Sequence, residues 1–564
     1  MASEHKILHG IGVCAGTASA PAAFVNAAAG VDPNETPSTD IEADSNRVRQ
    51  AMADVAAGLR ARIETVSDEK SKGVLKATAE LAEDKGLAKK IIKKIKSGSG
   101  ITQAVDEAAG EYAAMLEQLG GYMAERVTDL FDIRDRTICA LRGLPAPGVP
   151  TLTEPVVLIA NDLAPAETAT LDPKLVAGIV TQAGGPTSHT AILAAQLGIP
   201  AVVKTAGVLD SLTEADTVAL DGSLGDVIVS PTDEEVKTLA DRAERRAAAL
   251  AQSAGPGETK DGHKVKLLAN IGTVGDAHNA AGFDLEGSGL FRSEFLFLDR
   301  EQAPTLEEQT ETYTEILKAF GNRRVVVRTL DAGADKPLAF ANQEKEENPA
   351  LGVRGLRLGM MLREDLLDTQ LEALSLAYKQ TQGDLWVMAP MVATVEDAQY
   401  FVDKARSYGL PKVGVMIEVP SAAICSEQIL SVADFASLGT NDLSQYTMAS
   451  DRTQGELAAY LNIWQPAVLR MIKAACDGGE ATGKYVGVCG EAGGDPLMAL
   501  VLTGLGVGSL SMAPTKVKAV RAALKLHDLD TCKKMADIAV NAHTAAEARE
   551  AVLAVADPIL SDLI

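Results

Sequence analysis

At 564 residues, 46% of them hydrophobic, the chain is long enough for about three or four domains with a core in each. Lys plus Arg number 53 against 77 Asp plus Glu, and the net charge of -24 repels a phosphate backbone, which argues against nucleic acid as a partner. Six scattered cysteines without a CxxC pair suggest neither zinc nor a disulfide framework and fit a reducing cytoplasm, while the absence of a signal-like start or of ~20 consecutive apolar residues argues against export and a membrane span.

Residues 5 to 26 are rich in Gly, small and β-branched residues and read as one or two strands, too short to fold alone. From 31 to 145 the texture changes to Ala, Glu, Lys and Leu at helical spacing: Leu87, Ile91 and Ile95 share one face, as do Tyr112, Leu116 and Leu119. Pro145, Pro147 and Pro150 close this block, and strand-like runs return at 155–160 and 177–181. The helices therefore read as an insertion into one α/β domain made of residues 1–30 and 146–230. Residues 231–258 carry a charge-laced helical segment ending in AGPG, which suits a linker with a hinge. Beyond 259, eight apolar runs alternate with helical patterns, at 265–270, 287–292, 324–329, 385–390, 412–417, 435–439, 485–489 and 506–512. Eight β/α units over residues 259–564 predict a TIM (β/α)8 barrel.

Residues 181 to 198 spell TQAGGPTSHTAILAAQLG and predict a strand, a tight turn and a helix with His189 at its mouth. Gly184 and Gly185 allow close backbone approach to a ligand, and Thr187, Ser188 and Thr190 offer hydroxyls and amides where a helix N-terminus favours an anion. A neutral imidazole there is nucleophilic near pH 7 and can take a phosphoryl group. The same residues also make an ordinary helix cap, so the rest of the chain has to decide.

In a barrel of this kind the loops after the strands build the active site. Those positions hold Arg292, Arg328, Lys336, Glu418, Asn441, Asp442 and Cys489, with Arg452 in a loop beyond. Singly, each reads as a solvated or paired rim charge. Jointly, two carboxylates suit a hard Mg²⁺ ion, three arginines suit a phosphate and a carboxylate, and a thiol can give a proton to carbon. A small phosphorylated acid with a metal is the ligand this describes.

The segments GGPTSHTAI, GLFRSEFLFLDR, VVVRTLDAGADK, ENPALGVRGLR, VMIEVPSA, SLGTNDLSQY and VCGEAGGD, with ERVTDLFDIRDR and LIANDLAPAETATLD before them, resemble Enzyme I of the bacterial sugar phosphotransferase system, nearly end to end and in order. The resemblance implies phosphoenolpyruvate as donor, Mg²⁺ as cofactor, a histidine phosphocarrier protein as acceptor docked by the helical insertion, and a homodimer formed through the barrel. It makes His189 the phosphorylated nucleophile with Thr168 beside its ring, and it gives Arg292, Arg328, Arg452 and Asn441 to the donor. Glu418 and Asp442 would hold Mg²⁺, Cys489 would protonate the enolate, and Arg354 and Lys336 would support. Two departures stand out: Pro186 and Ala195 replace residues that are commonly basic in the family, and LKATAELAED lacks a histidine common in better-known members.

Two other readings compete. A dikinase or phosphoenolpyruvate synthase shares a mobile histidine domain and a barrel but needs an ATP-binding domain, for which no unassigned block remains. A regulatory phosphorelay protein with an inert barrel would not be expected to keep Glu418, Asp442 and Cys489 together. Release of pyruvate on turnover separates it from an enzyme.

Overall fold

Three short strands, rather than one or two, form the glycine-rich start: β1 (Lys6–His9), β2 (Ile11–Cys14) and β3 (Thr17–Phe24). They join β4 (Val156–Ala160), β5 (Val176–Thr181), β6 (Ala201–Val203), β7 (Thr217–Asp221) and β8 (Asp226–Val229) in one sheet of order β1-β8-β7-β3-β4-β5-β6-β2. The computed structural model describes residues 5–63, 69–119, 127–150, 152–163, 171–185, 188–251, 253–298, 300–333, 338–341, 346–452 and 454–564. It divides into two units, Met1–Ala243 and Glu244–Ile564.

In the first unit, β1 and β2 end the sheet on opposite sides although only Gly10 separates them, so the sheet curls round on itself. Glycine is required at that corner, because a Cβ there would lie 2.6 Å from the Val203 carbonyl oxygen. The chain leaves the sheet for the helical insertion and re-enters it side by side, where Asn26 and Gly148 exchange backbone hydrogen bonds of 3.0 and 2.9 Å. Between them lie α1 (Ile41–Ile63), α2 (Glu69–Ala82), α3 (Lys85–Lys96), α4 (Ile101–Leu119) and α5 (Val127–Leu141). The predicted face of α3 is the buried one: Leu87, Ile91 and Ile95 pack with Val48, Val105 and Leu116. Asp84 caps α3 by accepting the Leu87 amide at 2.7 Å.

After β5 the chain turns into α6 (His189–Leu197), and after β8 into α7 (Asp233–Ala251), the helix within which the two units divide. Thr232 and Glu235 form a reciprocal cap at the start of α7, and Arg242 pairs with Asp221 of β7.

The second unit is a closed barrel of eight parallel strands: β9 (Lys266–Ile271), β10 (Gly287–Arg292), β11 (Arg324–Arg328), β12 (Leu385–Ala389), β13 (Val413–Ile417), β14 (Phe435–Leu438), β15 (Tyr485–Val488) and β16 (Ser509–Met512). Each matches one of the eight apolar runs, β9 extending one residue past its run, and β16 pairs back onto β9 from Ser509 with Lys266 to Met512 with Ala269. Side chains alternate as a pleated strand requires. Leu290, Val326, Trp386, Met388, Met416 and Phe435 fill the barrel, while Val325, Val327, Val387 and Val415 face the surrounding helices. At the other end of the chain, Asp562 grips the last turns of α7 through Arg245 at 2.7 Å.

Candidate active site

The strands deliver their C-terminal ends to one rim, where a cavity of about 210 Å³ is lined by Arg292, Arg328, Glu418, Asn441, Asp442, Arg452 and Cys489. Arg292 and Arg328 end β10 and β11, Glu418 follows β13, and Asp442 lies in the first turn of the helix Thr440–Met448 after β14. The seven come from six separate stretches of sequence, Asn441 and Asp442 being neighbours, and meet because the strands curl into a barrel.

Two carboxylates that the sequence reading did not single out, Glu294 and Asp331, line the same cavity. Arg328 is buried with its Nη2 donating to Glu294 Oε1 at 2.6 Å and its Nη1 3.2 Å from Asp331 Oδ2 and 4.0 Å from Glu418 Oε2. Arg354 is also buried; it donates to both Asp331 oxygens at 3.3 and 3.0 Å, and to Asp442 Oδ1 at 3.2 Å. Burial works against both charges, and the surrounding carboxylates more than offset it, so both guanidiniums stay charged above their ordinary range. A charged residue in a strand-to-loop segment looks solvated in sequence, and the available signal for Glu294 and Asp331 was their place three residues or fewer beyond a strand end.

Glu418 is wholly buried. Its Oε1 accepts the Met391 amide at 2.7 Å, whereas Oε2 has no hydrogen-bond partner among the described residues. Burial, with Asp442 and Asp331 adding like charge, pushes its carboxyl up to about 8. Arg452 reaches Asp442 Oδ2 at 3.6 Å, and Asn441 Oδ1 accepts the Glu491 amide at 3.3 Å. Cys489 follows β15 with its thiol 3.6 Å from the Leu438 carbonyl, and burial pushes the thiol up to about 11, so it is protonated at neutral pH. Asn270 fixes that strand end by donating to the Cys489 carbonyl at 3.0 Å while accepting from Ser511 at 2.7 Å.

In the first unit, His189 is the first residue of α6. Ser188 is the cap, its Oγ accepting the Ala191 amide at 3.3 Å, and Gly184 takes a left-handed φ of +87° that glycine adopts without strain. The buried Thr190 donates to Asp162 Oδ1 at 2.7 Å, tying the start of α6 to the end of β4. Thr168, Pro186 and Lys336 lie outside the described residues.

Residues 9–126, 152–225 and 246–529 match, in that order, the N-terminal, mobile and PEP-binding domains of PEP-utilising enzymes. The PEP-binding match spans all eight strands of the barrel and the mobile match contains His189, so the chain is a PEP-utilising enzyme. The chain is 48% identical to a phosphoenolpyruvate-protein phosphotransferase of Streptomyces coelicolor over 97% of its length and 99% of that protein's. It is 38% identical to one of Haloferax volcanii, covering 89% and 90%, and 37% identical to one of Staphylococcus carnosus, covering 82% and 84%. The chain belongs to the phosphoenolpyruvate-protein phosphotransferases, the Enzyme I family, and its activity is phosphoryl transfer from phosphoenolpyruvate to protein. No helix among the described residues is long and apolar enough to cross a membrane.

Proposed function

We propose that the enzyme moves the phosphoryl group of phosphoenolpyruvate onto His189 and from there to a histidine of a small phosphocarrier protein, releasing pyruvate as the first step of sugar uptake in the cytoplasm. The observation that carries this reading is the convergence of Arg292, Arg328, Arg452, Asn441, Glu418, Asp442 and Cys489 on one small cavity.

Phosphoryl transfer is mainly positioning plus electrostatic stabilisation, and three arginines on one rim supply both. The His189 nitrogen bonds to phosphorus as the bond from phosphorus to the enol oxygen breaks, and the enol oxygen keeps that electron pair. Cys489 then gives its proton to the methylene carbon, completing pyruvate. Glu418 and Asp442 fit Mg²⁺: one buried carboxylate oxygen lacks a hydrogen-bond partner among the described residues, and two like charges lie close enough to raise a carboxyl pKa. When bound, the ion supplies positive charge beside the phosphoryl oxygens. Among the described residues no three acidic, histidine or cysteine groups converge as a complete ligand set, so substrate and water would finish the shell.

His189 lies in the first unit and the cavity in the second, so the histidine domain travels between barrel and carrier, with the linker at 231–258 as the hinge. The helical insertion, residues 31–145, docks the carrier, and the barrel forms the homodimer. Labelled phosphoenolpyruvate with Mg²⁺ should leave one acid-labile phosphate on His189, and mapping it elsewhere would overturn the reading. After cleavage near Gly255, the N-terminal half should run as a monomer that exchanges phosphate with the carrier; a dimeric N-terminal half would refute the dimer assignment.

A further inference from the structure

The buried ion network has a shared atom. Asp331 Oδ2 accepts from Arg354 Nη2 at 3.0 Å and lies 3.2 Å from Arg328 Nη1, while Asp331 Oδ1 lies 3.3 Å from Arg354 Nε. Asp331 is itself 2% exposed. Two guanidiniums drawn to one carboxylate are neighbours, and at that range in a dry interior they repel each other unless a negative charge lies between them. The backbone is shaped to bring the second arginine in: Gly355 has a left-handed φ of +60°, and a Cβ there would lie 3.3 Å from Asp331 Oδ1. Its amide donates to the Ala332 carbonyl at 3.1 Å, joining the loop that carries Arg354 to the loop that carries Asp331.

We propose that Asp331 is a positioning residue for phosphoryl transfer, its shared Oδ2 bracing Arg328, which lines the donor cavity, against the buried Arg354, which lines the adjoining one. The inference rests on the cavity being the phosphoenolpyruvate site. Each arginine has another carboxylate on its far side, Glu294 for Arg328 and Asp442 for Arg354. Asp442 is one of the two residues assigned to the metal, so Asp331 is the partner of Arg354 that stays committed to it when the metal is bound. A planar fork held by two oxygens keeps its direction as well as its charge, and direction is what a bidentate grip on a phosphate or carboxylate needs.

The test is steady-state kinetics of the full-length enzyme with phosphoenolpyruvate, Mg²⁺ and the carrier, on three variants. Asp331→Asn should raise KM for phosphoenolpyruvate about ten- to a hundredfold with a smaller fall in kcat, the range for outer groups that orient a ligand-binding side chain. Asp331→Glu keeps the buried charge balanced, and so keeps the fold, but moves the shared oxygen by one methylene; its KM should also rise several-fold. A normal KM in Asp331→Glu would overturn the proposal, because the residue would then be neutralising charge without setting geometry. Arg328→Lys is the control for the site itself. If it raises KM while both Asp331 variants do not, the positioning role fails and the cavity assignment stands; if none of the three changes KM, the cavity assignment fails.

Discussion

In the barrel, Arg328 and Arg354 are buried, and each is held by at least two carboxylates, whereas the described part of the turn before α6 carries Gly184, Gly185 and the capping hydroxyl of Ser188. These two buried arginines are charge-compensated before any substrate arrives. Under the proposed function the turn meets its anion through the ends of peptide dipoles, which grip weakly and release easily. A donor site has to stabilise a developing transition state, and preorganised charge does that best. A carrier site has to take and give the same group at two different partners.

The comparison breaks most completely at His189. His189→Ala should abolish both the half-reaction with phosphoenolpyruvate and the exchange with the carrier, measured by label retained on the protein. A variant that still takes label would mean that the turn is only a helix cap. Changes on the rim should instead spare the carrier half-reaction. Glu418→Ala or Asp442→Ala should slow pyruvate release by about 10³-fold or more and flatten the metal titration, while phosphate exchange with the carrier is unchanged. Unaltered metal titration in either variant would move the metal elsewhere.

Cys489→Ala should slow pyruvate release by about 100-fold or more, the usual scale for a lost general acid, with donor binding little changed. The pH profile sharpens this. Burial raises the thiol from its ordinary value to about 11, so the protonated donor is fully present at neutral pH and is lost only as pH rises through that value. Turnover limited by this group should therefore hold through about pH 10, and an alkaline fall centred near the free-thiol range of about 8.5 would show a thiol in open water. The smallest effect lies in the other region. Ser188→Ala removes one cap hydrogen bond and should cost about 1 kcal/mol in the stability of the first unit, read by denaturant melting, with a few-fold loss of carrier exchange. Loss of all exchange would make Ser188 part of the chemistry.

The same contrast explains what could be read without coordinates. The histidine turn is local: its strand, glycines, cap and helix follow one another between 176 and 198, and each is dictated by neighbours in sequence. The eight strands were legible for a similar reason, since a strand buried on both sides is a short continuous apolar run. The start of the chain was less so, and its three strands are short, with a corner at Gly10 that pattern alone does not reveal. The closed barrel follows from the count of eight β/α units, but the ion network belongs to another category. Asp442 follows β14 and Arg354 lies in the connection after β11, and only the curvature of the barrel brings these two strand ends within hydrogen-bonding reach.

By itself, then, the sequence determined the order of domains, the strand and helix patterns and the identity of most polar groups on the rim, because periodicity and turn chemistry act over a few residues. Tertiary structure alone decided that Glu294 and Asp331 line the cavity, that Glu418 has an oxygen without a hydrogen-bond partner among the described residues and that Cys489 keeps its proton. Those properties come from burial and from charges brought together across the barrel, and neither is a local quantity.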